Sequence, residues 1–326
     1  MLCVWAVAQP ERRPNIIFIL ADDLGYGEVG RILAEDLRAS GRSVIAYDLK
    51  WAGLAGQTGD SSQEMRAHAQ RHGVAIAPSH AAAVGEADLV ISAVTASQTL
   101  AVAESAAPGL RAGTFFLDFN SASPGAKIQA ASVVNAAGGR YVEGAVMTSV
   151  PPYRIQVPLL LGGPQAQALA PVLNAMGFAA RVASDQLGVA SATKMCRSVM
   201  IKGLEAMVIE SFTAARAYGV EDAVLASLKE TFPGIDWEKQ GAYFFQRVIE
   251  HGRRRSEEMF ESARTVEETG LPVWSASGTA QRQAWVAGLA DQGVLGERGQ
   301  PEFARSADWR VEADRLLAHV RSLQHK

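Results

Sequence analysis

The chain has 326 residues, 48% of them hydrophobic and 20% charged, with a formal net charge of −3. That length accommodates two domains with a sizeable core, and the near-neutral charge gives nucleic acid or an anionic membrane surface no electrostatic handle. Two cysteines, Cys3 and Cys196, exclude a disulfide framework and a Cys-based metal site, and the six histidines read as scattered rather than as a metal-binding pair, so no metal is expected.

Residues 2–8 end in Ala-Val-Ala, faintly like a leader cleavage site, but no basic segment precedes them. No apolar run reaches membrane-spanning length. Residues 1–13 are therefore expected to be an N-terminal extension of a cytoplasmic protein. The first strand is expected over residues 16–20. A helix follows over 28–40, with Val29, Ile32, Leu33 and Leu37 on one face and Gly41 as its C-cap. Further strands are expected over 43–47, 74–77, 88–94, 114–118, 141–146 and 157–161, with Ala-rich helical stretches between them. This alternation predicts an α/β fold over 14–184, a Rossmann-like doubly wound, mainly parallel sheet with helices on both faces.

After Ser184 the strand-like runs stop. Helical patterns occupy 186–218, 221–230, 236–251, 253–269, 277–291 and 302–323, punctuated by Pro233-Gly234, Gly270-Leu271-Pro272 and Gly299-Gln300-Pro301. Residues 185–326 are thus expected to form an all-α C-terminal domain. The one basic block, Arg253-Arg254-Arg255, reads as a solvated helix face.

Gly25-Tyr26-Gly27-Glu28-Val29-Gly30 spells G-x-G-x-x-G between a strand and an amphipathic helix, the phosphate-cradling turn of a dinucleotide-binding unit. Gly25 would allow the tight turn, Gly27 the approach of backbone to pyrophosphate, and Gly30 close packing of helix on sheet. Asp48, 18 residues after Gly30, falls where a carboxylate binds the adenosine ribose hydroxyls. A carboxylate there repels a 2′-phosphate, which favours NAD over NADP, while nearby Lys50 weakens that preference. One feature does not fit: Ala21-Asp22-Asp23-Leu24 intervenes between strand and first glycine, and two carboxylates beside a pyrophosphate repel it unless they face solvent.

Gly188-Val189-Ala190-Ser191-Ala192-Thr193-Lys194-Met195-Cys196-Arg197-Ser198 resembles the segment opening the interdomain helix of the β-hydroxyacid dehydrogenase superfamily, the 3-hydroxyisobutyrate and 6-phosphogluconate dehydrogenase relatives. That family has G-x-x-x-x-x-K-x-x-x-N here. The resemblance implies that Lys194 accepts the proton during alcohol oxidation and donates it during carbonyl reduction. Ser198 stands in place of the family Asn, one helical turn on and able to hydrogen-bond substrate. Asp118-Phe119-Asn120-Ser121-Ala122-Ser123-Pro124 resembles the family's D-x-[SN]-[ST]-x-S-P segment, which implies Asn120 and Ser121 near nicotinamide and substrate; a helix-capping cluster is the plainer alternative. Glu143-Gly144-Ala145-Val146-Met147-Thr148-Ser149 stands where the family has D-A-P-V-S-G-G. The substrate-gripping Gly pair is absent, and the Thr148 and Ser149 hydroxyls are its possible substitutes. Val94 and Thr95 match the family's cofactor-contact position.

The stretch from Lys202-Gly203-Leu204-Glu205-Ala206 to Arg253-Arg254-Arg255-Ser256-Glu257-Glu258-Met259 resembles a divergent phosphogluconate-dehydrogenase-like subgroup. The resemblance as a whole implies an NAD(P)-dependent dehydrogenase of a small hydroxy acid, acting as a homodimer. Three alternatives stand beside it. One is a non-catalytic NAD-binding protein of the same fold. Another is an imine reductase of the same architecture, against which Lys194 speaks, because that group generally carries Asp or Tyr there. The third arises because residues 14–27 resemble the opening strand of the sulfatase family, in which Asp22 and Asp23 would be calcium ligands. The C/S-x-P-x-R nucleophile segment that such a hydrolase requires is missing.

Overall fold

The computed structural model describes residues 16–20, 28–49, 51 and 60–324, with residues 16–20, 60 and 61 described as backbone. The chain divides into two compact units, Met1–Ala192 and Thr193–Lys326.

In the first unit strands and helices alternate: β1 (Ile16–Leu20), α1 (Glu28–Ala39), β2 (Val44–Asp48), α2 (Asp60–Arg71), β3 (Ala75–Ile76), α3 (His80–Val84), β4 (Leu89–Ser92), α4 (Thr99–Ala106), β5 (Phe115–Asp118), α5 (Pro124–Ala136), β6 (Arg140–Val146), β7 (Pro158–Gly162), α6 (Ala166–Ala175) and β8 (Ala179–Ser184). They form one eight-stranded sheet in the order β3-β2-β1-β4-β5-β6-β7-β8. All neighbours are parallel except β6 and β7, which pair antiparallel from Glu143 opposite Gly162 to Val146 opposite Leu159. The first six strands follow the Rossmann order.

The sheet is covered on both faces, as a parallel sheet must be. Leu89 and Ile91 of β4 pack with Leu33 and Leu37 of α1 and Leu169 and Leu173 of α6. Val90, between them, points the other way and packs with Val102 of α4 and Ala130 and Val134 of α5. The period-two alternation of side chains thus feeds two separate cores, and every residue of β4 is buried.

The second unit is helical: most of α7 (Val189–Tyr218), then α8 (Glu221–Thr231), α9 (Trp237–Glu267), α10 (Trp274–Asp291) and α11 (Trp309–Gln324). Its main core gathers Ile209 and Phe212 of α7, Phe245, Val248 and Ile249 of α9, Val286 of α10 and Trp309 and Leu316 of α11.

Three expectations are corrected. The helices expected over 236–251 and 253–269 are one continuous helix, α9. Gly252 is not a break: a Cβ there would lie 3.0 Å from the Gln283 carbonyl oxygen and 3.2 Å from Ala287 Cβ, so glycine lets α10 approach closely. The last helix begins at Trp309 rather than near residue 302, because Asp308 caps it by accepting from the Arg310 N–H at 2.9 Å. Finally, β8 was not among the expected strands. Its Ala-rich sequence has little strand propensity, and parallel pairing with β7 supplies the order.

Candidate active site

The parallel strands β2, β1, β4, β5 and β6 lie side by side, so their carboxyl ends share one edge of the sheet. Asp48 is the last residue of β2 and fully buried. Val94 and Thr95 lie in the loop beyond β4, Asn120 and Ser121 beyond β5, and Thr148 and Ser149 beyond β6. Residues far apart in sequence therefore line one rim, where ligands bind in doubly wound sheets. Glu28, Val29 and Gly30 form the first turn of α1, with Glu28 exposed and Gly30 buried. Gly25, Tyr26 and Gly27, together with Asp22, Asp23 and Lys50, lie outside the described residues.

Beneath this rim is a network of buried polar groups. Lys127 of α5 has no exposed side-chain surface, and its Nζ lies 2.8 Å from Asp118 Oδ1. The ammonium also donates to the Asp118 carbonyl at 2.9 Å and the Gly144 carbonyl at 3.3 Å. Asp118 Oδ1 further accepts from the Asn120 N–H at 2.9 Å, and Oδ2 accepts from the Tyr141 hydroxyl at 2.6 Å. Burial, reinforced by the Asp118 charge, pushes the Tyr141 phenol well above its usual range, so it remains a donor. A buried ion pair is tolerable when its remaining hydrogen-bonding capacity is used, as here.

Asn120 extends the network. Its Oδ1 accepts from the Val94 N–H at 2.6 Å, and its Nδ2 donates to Ser92 Oγ at 3.0 Å. The side chain is buried and clips the loop after β4 to the loop after β5. Ser123 caps α5 by accepting from the Ala126 N–H at 3.3 Å. The capping alternative thus describes Ser123, while Asn120 shapes the rim from below. Ser121 and Ser149 are half-buried and Thr148 is exposed.

Glu143 is the residue of β6 whose role sequence reasoning missed. Fully buried, it accepts from the Gly188 N–H through Oε2 and from the Ser191 N–H through Oε1 at 2.9 Å. It thereby satisfies two amide groups at the start of α7, where a helix leaves N–H groups without intrahelical partners and favours negative charge. Gly188 has φ +92, a backbone conformation natural to glycine. Space for the carboxylate comes from Gly162, where a Cβ would sit 2.8 Å from Glu143 Cγ and Oε1.

In the second unit Lys194 is half-buried and Ser198 buried. At about 100° per residue, Lys194, Ser198, Lys202 and Glu205 fall within a stripe of roughly 80° on α7. Two of these meet α9. Lys202 Nζ lies 2.5 Å from Glu258 Oε2, and Arg254 Nη1 lies 2.8 Å from Glu258 Oε1. Arg255 pairs with Glu205 through two hydrogen bonds, and Gln283 of α10 donates to the same carboxylate at 3.2 Å. Burial pushes the Glu258 carboxyl up, but the Lys202, Arg254 and Lys194 charges outweigh it and hold Glu258 well below the usual carboxylate range. Burial, aided by Arg255 and Arg254, lowers Lys202 despite its pairing with Glu258.

The Arg block is therefore not one solvated face. Arg253 is exposed and pairs with Asp291, Arg254 is half-buried, and Arg255 is 5% exposed. Three consecutive helical residues point about 100° apart and cannot share a surface. The available sequence signal for this seam was charge at helical spacing from Lys194, in the same stretches that carried the subgroup resemblance.

Residues 23–188 match the family described as the NAD binding domain of 6-phosphogluconate dehydrogenase. Residues 215–286 match a domain of unknown function, DUF1932. Among solved structures, a conserved hypothetical protein of Sinorhizobium meliloti 1021 is 36% identical, covering 94% of this chain and 97% of that one, with a TM-score of 0.72. A conserved protein of unknown function, described as structurally similar to 3-hydroxyacid dehydrogenases, is 30% identical over 86% of this chain and 99% of its own, with a TM-score of 0.64. A 3-hydroxyisobutyrate dehydrogenase of Mycobacterium tuberculosis, solved with L-serine, shares the fold at 18% identity, covering 94% of this chain and 99% of that one, with a TM-score of 0.62.

Proposed function

The chain belongs to the family of the NAD-binding domain of 6-phosphogluconate dehydrogenase, and from that premise we propose that it is an NAD(P)-dependent oxidoreductase acting on a small hydroxy acid. The observation that carries this reading is the set of loop positions along the carboxyl edge of the Rossmann sheet, supported from below by Asn120, Asp118 and Lys127. We take residues 14–184 as the cofactor domain and 185–326 as the substrate and dimerisation domain.

The described residues fit a dinucleotide. Gly30 is buried in the first turn of α1, so no side chain holds helix from sheet, and Asp48 ends β2 as a buried carboxylate. The N–H groups of the first turn of α1 suit a pyrophosphate. Asp48 supports NAD over NADP. Gly25, Tyr26, Gly27, Glu28, Val29, Val94 and Thr95 complete the proposed cofactor contacts.

The nicotinamide, when bound, supplies the hydride acceptor or donor. Lys194 Nζ takes the hydroxyl proton as the alcohol carbon gives up its hydride, and returns it in carbonyl reduction. Ser198, one turn beyond Lys194, offers a hydroxyl to substrate; on the sheet rim Asn120 and Ser121 are assigned to the neighbourhood of nicotinamide and substrate, and the Thr148 and Ser149 hydroxyls to the substrate carboxylate. Glu143 fixes the first turn of the helix that contains Lys194, so the base is positioned before substrate arrives. A homodimer is supported by Met200 and Met207 of α7, both more than half exposed. Among the described residues no helix is long and apolar enough to cross a membrane.

Calorimetric titration with NADH and NADPH tests the cofactor site, and no binding of either at millimolar ligand overturns the proposal. A panel of hydroxy acids followed by nicotinamide absorbance then identifies the substrate. Lys194→Ala is expected to abolish turnover and leave cofactor affinity within about twofold; surviving turnover removes Lys194 from the mechanism.

A further inference from the structure

We propose that Glu35, His68 and His72 form a site for a borderline divalent transition metal, Zn²⁺ being the species that best suits the donors, and that the ion ties α2 to α1. His68 and His72 are four residues apart, and the His72 N–H donates to the His68 carbonyl at 3.1 Å, so helical geometry continues through both. Their rings stack with centroids 4.4 Å apart. From α1, Glu35 Oε1 lies 2.7 Å from His68 Nε2. One donor atom from each residue lies within 4.8 Å of the other two, close enough for all three to share one ion.

Two imidazoles and a carboxylate with an open fourth position are a zinc-type donor set, and imidazole nitrogen selects against magnesium and calcium, which prefer all-oxygen shells. The carboxylate is already aimed. Its Oε2 accepts from Arg154 at 2.6 Å, and Arg154 also pairs with Asp36 at 2.7 Å. Such outer partners orient metal ligands. Arg154 holds φ 53, an uncommon conformation outside glycine, in the turn where Asp36 Oδ2 also accepts from the Ile155 N–H at 3.1 Å. Glu35 sits seven residues into α1, about 10 Å along the helix from the end assigned to the pyrophosphate, so the metal site is distinct from the proposed cofactor site.

The full-length chain, stripped with chelator, is titrated with ZnCl₂ by calorimetry and with Co²⁺ by visible absorption. The expected result is one ion per chain at micromolar concentration, cobalt bands of a four-coordinate nitrogen–oxygen site, and a thermal midpoint raised by several degrees with Zn²⁺. His72→Ala should weaken Zn²⁺ binding at least tenfold and abolish the midpoint shift, while His319→Ala and Cys196→Ser retain both. Glu35→Gln should behave as His72→Ala, and circular dichroism of the metal-free variants separates lost ligation from lost folding. Absence of a stoichiometric site, or unchanged affinity in a folded His72→Ala protein, overturns the proposal. NADH affinity should be the same with and without Zn²⁺ and in His72→Ala, so failure here is separable from failure of the dehydrogenase reading.

Discussion

Glu143 offers the sharpest test of how the sheet prepares the helix that contains Lys194. Its buried carboxylate accepts from the Gly188 and Ser191 amides. Hydrogen bonds to a charged group contribute about 1.5–3 kcal/mol each, and losing an ordinary N-cap costs about 0.5–2 kcal/mol. Two bonds set against the cost of burying the charge put Glu143→Ala at roughly 3 kcal/mol of destabilisation. Glu143→Gln keeps the shape but turns one acceptor into a donor facing an N–H group, at roughly 2 kcal/mol. Gly162 supplies an internal control, because an added methyl would lie 2.8 Å from Glu143 Oε1. Gly162→Ala alone should cost about 1–3 kcal/mol through overpacking, and markedly less in the Glu143→Ala background. Urea denaturation at constant m reads the four corners of this cycle. In turnover, Glu143→Gln should lower kcat more than it changes NADH affinity. A cost for Glu143→Ala below about 1 kcal/mol, or strict additivity with Gly162→Ala, would refute the account.

Arg255→Met should destabilise by about 3–5 kcal/mol because it strands Glu205 in the interior, and Glu205→Met in the same chain should recover most of that loss. Arg253→Ala, in the same block but exposed, should cost about 0.5 kcal/mol or less by the same denaturation assay. Burial lowers His80 to about 4, so the unfolded chain binds this proton more tightly. Its contribution is therefore complete above the unfolded value and is lost as pH falls from about 6.5 towards 4, reaching about 1–2 kcal/mol at pH 5. The pH dependence of urea midpoints should flatten over that window in His80→Phe, and an unchanged slope would contradict the assignment.

How far the amino-acid order alone carries can be read from particular places. Leu89-Val90-Ile91 announces a strand buried on both faces, and its neighbours fall on opposite cores as that pattern requires. The pattern of Val29, Ile32, Leu33 and Leu37 marks α1, and Gly41 follows it with φ +78. The places of Asp48 at the end of β2, and of Val94, Asn120 and Thr148 beyond β4, β5 and β6, are equally local, because the carboxyl ends of these parallel strands share one edge.

Other features have no local signature. Gly252 reads as a helix end until α10 is packed against it, when the missing Cβ becomes a contact surface. Arg255 looks like the other two arginines of its block until Glu205 of α7 comes within reach. Glu143 and the Gly188 amide are 45 residues apart, and His68 and Glu35 are 33 apart. Sequence by itself determined the α/β order, the all-α second half and the row of loops along the carboxyl edge of the sheet, because these follow from periodicities within single elements. Tertiary structure alone decided which buried charges meet, since the energy of a charge depends on partners that another segment brings to it.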